Sequence, residues 1–406
     1  MKDNINKRIK TSNKIYPLFY GLSSDLIFFI AINTLFLTQV KELTSSEINF
    51  MTTMGVLISL FFYLFSHKII KKIGNLNSIK LGTLLILIAS ILFTFSKHII
   101  LFIFAEILYE VSFVFKSVDT VVLNNNLTYE HREDEFVKIK SKATTIYSIA
   151  TLITSLLAGF LFSINPYIPM IICIIICLNN FIMAHFIYEI SKDKKIIQKT
   201  SNNKINFTKI VITIIIVYGL LYGTVAVCQT NDKLFMQYKL QEFMEVNNIA
   251  LALSFILFLS RISRLFSNIF FIRIYDKLKN KIIYLINIAL ITSVLLFIIG
   301  HLLTNPKFGI ILMSIGFLLL LALRDPTENV LSNLLLQNTL KDDKEQIMLY
   351  FQFSRRLVVF ILSSLATLIL TKFELIHLYI IIFIFAFIYL LIVIKLIHLL
   401  KKSNKS

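Results

Sequence analysis

Long apolar runs separated by short basic segments set the rhythm of the chain. Leu84–Leu92 and Leu378–Leu391 are almost free of polar residues, and each sits inside a longer apolar stretch. A run of about 18 or more apolar residues reaches across a hydrocarbon core about 30 Å thick. Lipid offers the backbone no hydrogen bonds, so a spanning segment must satisfy its amides internally. No alternation of period two marks barrel strands, and the runs predict helices. Twelve are placed, over 15–38, 46–66, 79–96, 98–122, 138–163, 166–190, 208–229, 246–272, 282–303, 307–337, 346–371 and 374–399. Asn165-Pro166, Asn305-Pro306 and the polar stretch Lys192–Asn206 supply turn signals between them.

An ordered set of matches relates the two halves. Tyr20-Gly21-Leu22 recurs as Tyr218-Gly219-Leu220, and Glu47 with Asn49 as Glu245 with Asn247. Leu64-Phe65-Ser66 recurs as Leu265-Phe266-Ser267. Asp119, Val121 and Asn124 match Glu328, Val330 and Asn333, and Ser141-Lys142 matches Ser354-Arg355. The expected fold is therefore an all-α membrane protein with twelve transmembrane helices in two pseudo-symmetric six-helix bundles. The bundles are 1–190 and 208–406, joined by a cytoplasmic linker over 191–207. Parallel halves of this kind are a transporter plan.

Composition agrees with the pattern. The 406 residues are 57% hydrophobic, and the mean hydropathy is +0.78. A formal charge of +18 raises the question of nucleic acid. The basic residues, however, sit in short loops between apolar runs, and no basic soluble domain remains once the helices are removed. They cluster in every second loop: Lys68, Lys71, Lys72 and Lys80 after the second helix, Arg132, Lys138, Lys140 and Lys142 after the fourth, and Lys192 to Lys204 in the middle. That alternation predicts a multi-pass protein of the cell membrane with both termini cytoplasmic. The N-terminal basic tail leads into an apolar stretch without a small-residue cleavage site and reads as a retained first helix. Cys173, Cys177 and Cys228 lack the three or four clustered ligands of a metal site and read as apolar packing. No cofactor is expected.

Ionisable residues inside spans are the candidate chemistry, because each costs several kcal/mol unless it faces a partner or a cavity. Asp25 falls near the middle of the first helix. Glu106 and Glu110 stand one turn apart in the fourth, close enough for mutual repulsion. Such a pair can take and release a proton during a transport cycle. Arg261, Arg324 and Asp325 complete the candidates for solute binding or proton coupling. Nearer the cytoplasmic ends, the repeat suggests gate ion pairs of Asp119 with Lys142 and of Glu328 with Arg355. Each of these residues also has a structural reading as an ion pair that only holds helices together. Tyr20, Tyr109, Tyr218 and Tyr222 read as aromatic packing or as solute contacts.

At this point the chain resembles the major facilitator superfamily over essentially its whole length. The resemblance rests on the six-plus-six plan, the middle linker, and the segment His67-Lys68-Ile69-Ile70-Lys71-Lys72-Ile73-Gly74-Asn75 between the second and third helices. The family often carries there a glycine, three residues and Asp-Arg-x-Gly-Arg-Lys. Here Gly74 and the basic residues fit, while Lys71 stands in place of the acid. In facilitators, helices 1, 4, 7 and 10 line a central cavity. The candidate charges in helices 1, 4 and 10 agree with that plan. The chain reads as a secondary transporter, proton-coupled or facilitative, that moves a small solute by alternating access and is expected to be a monomer. A multidrug or peptide exporter is the nearest alternative. A non-transporting immunity or sensor protein is the alternative of another class. No nucleophile–base pair, metal spacing or glycine-rich phosphate loop supports an enzyme or an ATP-driven pump.

Overall fold

The structure, a computed structural model, describes residues 2–132, 135–190, 207–278, 281–339 and 344–403. Residues 191–206 of the expected linker lie outside them. Twelve helical rods follow one another. The first is α1 (Lys2–Ser23), α2 (Ile27–Leu35) and a π-helical turn over Phe36–Val40. Then come α3 (Ser45–Ile73) and α4 (Asn75–Phe95). The fourth rod is α5 (Ile99–Lys116) followed by α6 (Asp119–Tyr129). α7 (Phe136–Ile164) and α8 (Ile168–Ala184) complete the first six. The rest are α9 (Lys209–Gln241), α10 (Val246–Leu278), α11 (Ile282–Leu302), α12 (Pro306–Gln337), α13 (Lys344–Leu370) and α14 (Leu375–Ser403).

Among the described residues, ten spans pass on length and apolarity alone. α8 is apolar but short. α5 carries Glu106, Glu110 and Lys116, three charges within a helix of only 18 residues. Local signals set the starts of two helices. Thr208 accepts a hydrogen bond from the Val211 amide at 3.2 Å, and Asn305 accepts from Lys307 with Pro306 at the first helical position. Gly74, at φ 85°, turns the chain between α3 and α4 in a conformation that costs other residues energy.

Backbone contacts divide the chain into two compact units, Met1–Asn33 with Met54–Asn203, and Thr34–Thr53 with Lys204–Ser406. The same packing plan recurs in each. In the first, α4 packs on α5 and α8, and α1 on α7. In the second, α11 packs on α12 and α14, and α9 on α13.

The internal repeat is real, but its register in the first helix of each unit is one turn from the sequence match. A Cβ placed on Gly21 would meet Ile146 and the Ala143 carbonyl; one on Gly223 would meet Val358 and the Arg355 carbonyl. The contacted positions are three apart in both cases. Tyr16 and Tyr20 stack one turn before Gly21 with ring centroids 5.8 Å apart, as Tyr218 and Tyr222 lie before Gly223 at 5.3 Å. Tyr16, Tyr20 and Gly21 therefore correspond to Tyr218, Tyr222 and Gly223. The Tyr-Gly-Leu identity misleads because Tyr-Gly occurs twice, one turn apart, in α9.

Thr34–Thr53 joins the second unit through side chains. Asn49 and Asn231 exchange amide hydrogen bonds at 2.9 and 3.2 Å. Thr53 donates to the Ser363 hydroxyl at 2.9 Å, Ser46 donates to the Thr367 carbonyl, and Gln237 donates to Thr38. Apolar surroundings make each such bond worth satisfying, because an unpaired buried polar group costs about 1–3 kcal/mol.

Candidate functional site

Two interrupted rods build the site in the first unit. The sequence pattern ran helix 1 unbroken through Asp25, but α1 ends at Ser23 and α2 starts at Ile27. The Ser24-Asp25-Leu26 step frees carbonyls that lipid could not satisfy. Side chains from three directions take them up. Asn180 of α8 donates to the Leu22 carbonyl at 2.9 Å, Ser24 turns back onto the Tyr20 carbonyl, and the Lys116 ammonium lies on the Ser23 carbonyl. On the other side of the break, Asp25 accepts from its neighbour, the Leu26 amide, at 2.9 Å and from the Tyr109 hydroxyl. Broken backbone at membrane depth survives only where protein replaces water in this way.

α5 brings the rest. Glu106 is buried, 8% exposed, and interacts electrostatically with Glu110 and Asp25; Tyr109 lies among the same three carboxylates. Lys116, the last residue of α5, is 5% exposed and feels Asp25 and Asp119. Two of the chain's ten glycines make the room. A Cβ on Gly55 of α3 would stand 2.6 Å from Cγ of Glu106, and one on Gly82 of α4 the same distance from Cγ of Lys116. Protein interiors have no slack for such overlaps. The structure thus gathers Asp25, Glu106 and Glu110 into one acidic group, with Lys116 between Asp25 and Asp119.

The expected gate pairs look different in three dimensions. Among the described residues, no ion pair within 4 Å joins Asp119 to Lys142 or Glu328 to Arg355. Lys142 is exposed on α7. Lys140 instead reaches the Thr120 hydroxyl at 2.8 Å, lies 3.7 Å over the Tyr20 ring, and is the largest cationic influence on the buried Asp119. Residues two apart on a helix do not share a face, so Lys140 and Lys142 cannot both point at Asp119. In the second unit, Gln352 of α13 donates to Glu328 at 3.5 Å, while Arg355, one turn on, lies 4.6 Å over the Tyr222 ring.

The remaining candidates also fall in the second unit. Arg261 is buried in α10. Arg264 forms a two-pronged ion pair with Asp325, both contacts at 2.6 Å, tying α10 to α12. That fork is the strongest geometry available to a carboxylate. Arg324 turns away, donating to the Tyr222 hydroxyl at 3.0 Å and to Gln229 at 3.5 Å. Sequence reasoning missed Asp232. It ended helix 7 at 229, whereas α9 runs to Gln241 and buries Asp232 at 1% exposure, where the Tyr379 hydroxyl donates to it. The run from Asn231 to Lys233 resembled a polar loop. A signal was present in the apolar Leu234, Phe235 and Met236 that follow it, all of them buried.

Two units with the same packing plan, built of apolar helices long enough to cross a membrane, define a multi-pass membrane protein of the transporter class. The chain belongs to the Major Facilitator Superfamily, whose family model matches residues 18–363. Its fold is similar to the crystal structure of the nucleoside transporter NupG, with a TM-score of 0.67, 10% identity, and coverage of 97% of this chain and 99% of that one. A mutant of NupG matches at TM-score 0.70 with 9% identity over the same shares. A bacterial homologue of the iron transporter ferroportin, in an inward-facing state, matches at TM-score 0.67 with 14% identity, over 96% of this chain and 98% of that one. No curated protein matches the sequence.

Proposed function

We propose that this protein is a secondary active transporter that moves a small solute across the cytoplasmic membrane by alternating access, with proton movement as its driving reaction. The observation that carries the reading is the interrupted first helix, with Asp25 at the break and Glu106, Glu110 and Lys116 around it. Interrupted helices place unpaired backbone ends and charges where ions and solutes are handled. Ionisable side chains gathered inside a span are costly and mark the places where a carrier handles protons or solute. The structural neighbours are a nucleoside transporter and a bacterial homologue of an iron transporter, which fits carriage of small solutes. Purified protein in liposomes should accumulate a labelled solute when a pH gradient is imposed, and should exchange it in counterflow without one. A panel of nucleosides, organic acids, sugars and amino acids that gives neither accumulation nor counterflow overturns the carrier reading.

The loop charges support an orientation with both termini and residues 192–206 in the cytoplasm. Cys173, Cys177 and Cys228 are buried, so a cysteine introduced at Ser201 reports on the linker with little background. In intact cells it should resist impermeant thiol reagents and react only after permeabilisation. Reaction in intact cells would reverse the orientation.

A further inference from the structure

We propose that the second unit contains an anion-binding site built on Tyr222, Arg324 and Arg355, which takes a carboxylate or a phosphate group. The inference deepens the carrier reading by giving the solute a charge, and it rests on that reading only for the word solute. Tyr222 is buried, and two guanidinium groups attend its ring, Arg355 at 4.6 Å and Arg324 at 5.9 Å from the centroid. Arg324 also donates to the Tyr222 hydroxyl. Beneath them Tyr218 stacks on Phe351 with ring centroids 3.5 Å apart and an interplanar angle of 12°, which makes the platform rigid. Both arginines are half-buried, within reach of a ligand yet poorly hydrated.

Three buried or half-buried acids of this unit have other partners among the described residues. Asp325 is held by Arg264, Asp232 by Tyr379, and Glu328 accepts from Gln352. Among the described residues Arg355 has no ion pair within 4 Å, and its buried Nε has no hydrogen-bond partner. The repeat sharpens the point. In the first unit a different position, Lys140, supplies the cation over the equivalent tyrosine, Tyr20, and has Asp119 and Thr120 beside it. The second unit keeps the aromatic pair and doubles the cations without turning an acid onto Arg355. A guanidinium in low dielectric gains most from an anion, and its planar fork fits the two oxygens of a carboxylate or phosphate. Arg355 is thereby poised for an oxyanion from outside the chain, with Arg324 beside it on the same ring.

The test uses the full-length protein in detergent, with thermal unfolding as the readout. Succinate, inorganic phosphate, uridine and choline chloride are titrated at constant ionic strength set by sodium chloride. Succinate or phosphate should raise the unfolding temperature in a saturable way, and uridine and choline should not. Whichever of the two anions acts identifies the group. Arg355→Gln should weaken that binding about ten- to a hundredfold, the loss of a charge-assisted contact. Arg355→Lys should give a smaller loss, and it serves if the glutamine variant does not fold. The exposed Lys142→Gln should bind as the wild type does. No stabilisation by either anion, equal stabilisation of the Arg355 variants, or stabilisation by uridine or choline alone overturns the inference. Binding that depends on Arg355 in a protein that shows no counterflow would leave this site standing and remove the carrier reading instead.

Discussion

Replacing Glu106 with glutamine should abolish solute accumulation driven by a pH gradient and leave solute exchange intact. Glutamine has the shape of the protonated carboxyl group, so the fit against Gly55 is preserved while the charge is frozen in its neutral form. Glu106 is the most buried of the three carboxylates, and Glu110 and Asp25 both repel its anion. A carboxyl group at this place can trade a proton with either side of the membrane as its exposure changes during the cycle. One coupled proton contributes about 1.4 kcal/mol per pH unit, or about a tenfold concentration ratio. A gradient of one unit should therefore concentrate solute up to about tenfold in the wild type, and not at all in Glu106→Gln. Glu110→Gln should show the same separation more weakly, being half-buried. The measurement is paired uptake and counterflow across a series of external pH values. If both variants still concentrate solute with unchanged pH dependence, the proton is carried elsewhere.

The second large effect is on stability. Lys116→Met should destabilise the fold by about 3–5 kcal/mol, the cost of breaking one side of a buried charge arrangement. The variant removes the donor on the Ser23 carbonyl and the cation that faces both Asp25 and Asp119. The methionine stem still fits the space that Gly82 leaves, so lost packing does not account for the change. Asp25→Asn in the same chain should recover part of the loss, because it removes one of the negative charges left without a counter-ion. Thermal unfolding in detergent and the yield of monodisperse protein report both steps. A Lys116→Met protein as stable as the wild type would mean that the break in helix 1 needs no cation.

Much of this molecule was legible along the chain. Twelve apolar runs, their basic punctuation and an internal repeat follow from the hydrophobic thickness of a membrane and from the cost of burying an amide unpaired. Those rules act on each segment separately, so a linear reading can apply them. The candidate carboxylates were visible for the same reason: charge inside a span is costly wherever the neighbours lie. Helix 7 was cut short because Asn231, Asp232 and Lys233 looked like a loop, and only packing against α14 shows that Asp232 is sheltered.

What only the tertiary structure decided concerns partners. The break itself, Ser24-Asp25-Leu26, contains no proline or glycine. It depends on Lys116, Tyr109 and Asn180, which lie 84 to 158 residues away. Lys140 and not Lys142 faces Asp119, since helix phase is set by what α7 packs against, here Gly21. Gln352 rather than Arg355 takes Glu328, which turns an expected gate pair into a cation over an aromatic ring. Sequence determined which residues are too costly to leave alone in lipid, because that cost is a property of one side chain and its depth. Structure decided which neighbour meets the cost, because helix rotation and crossing are set by all the contacts of a helix at once.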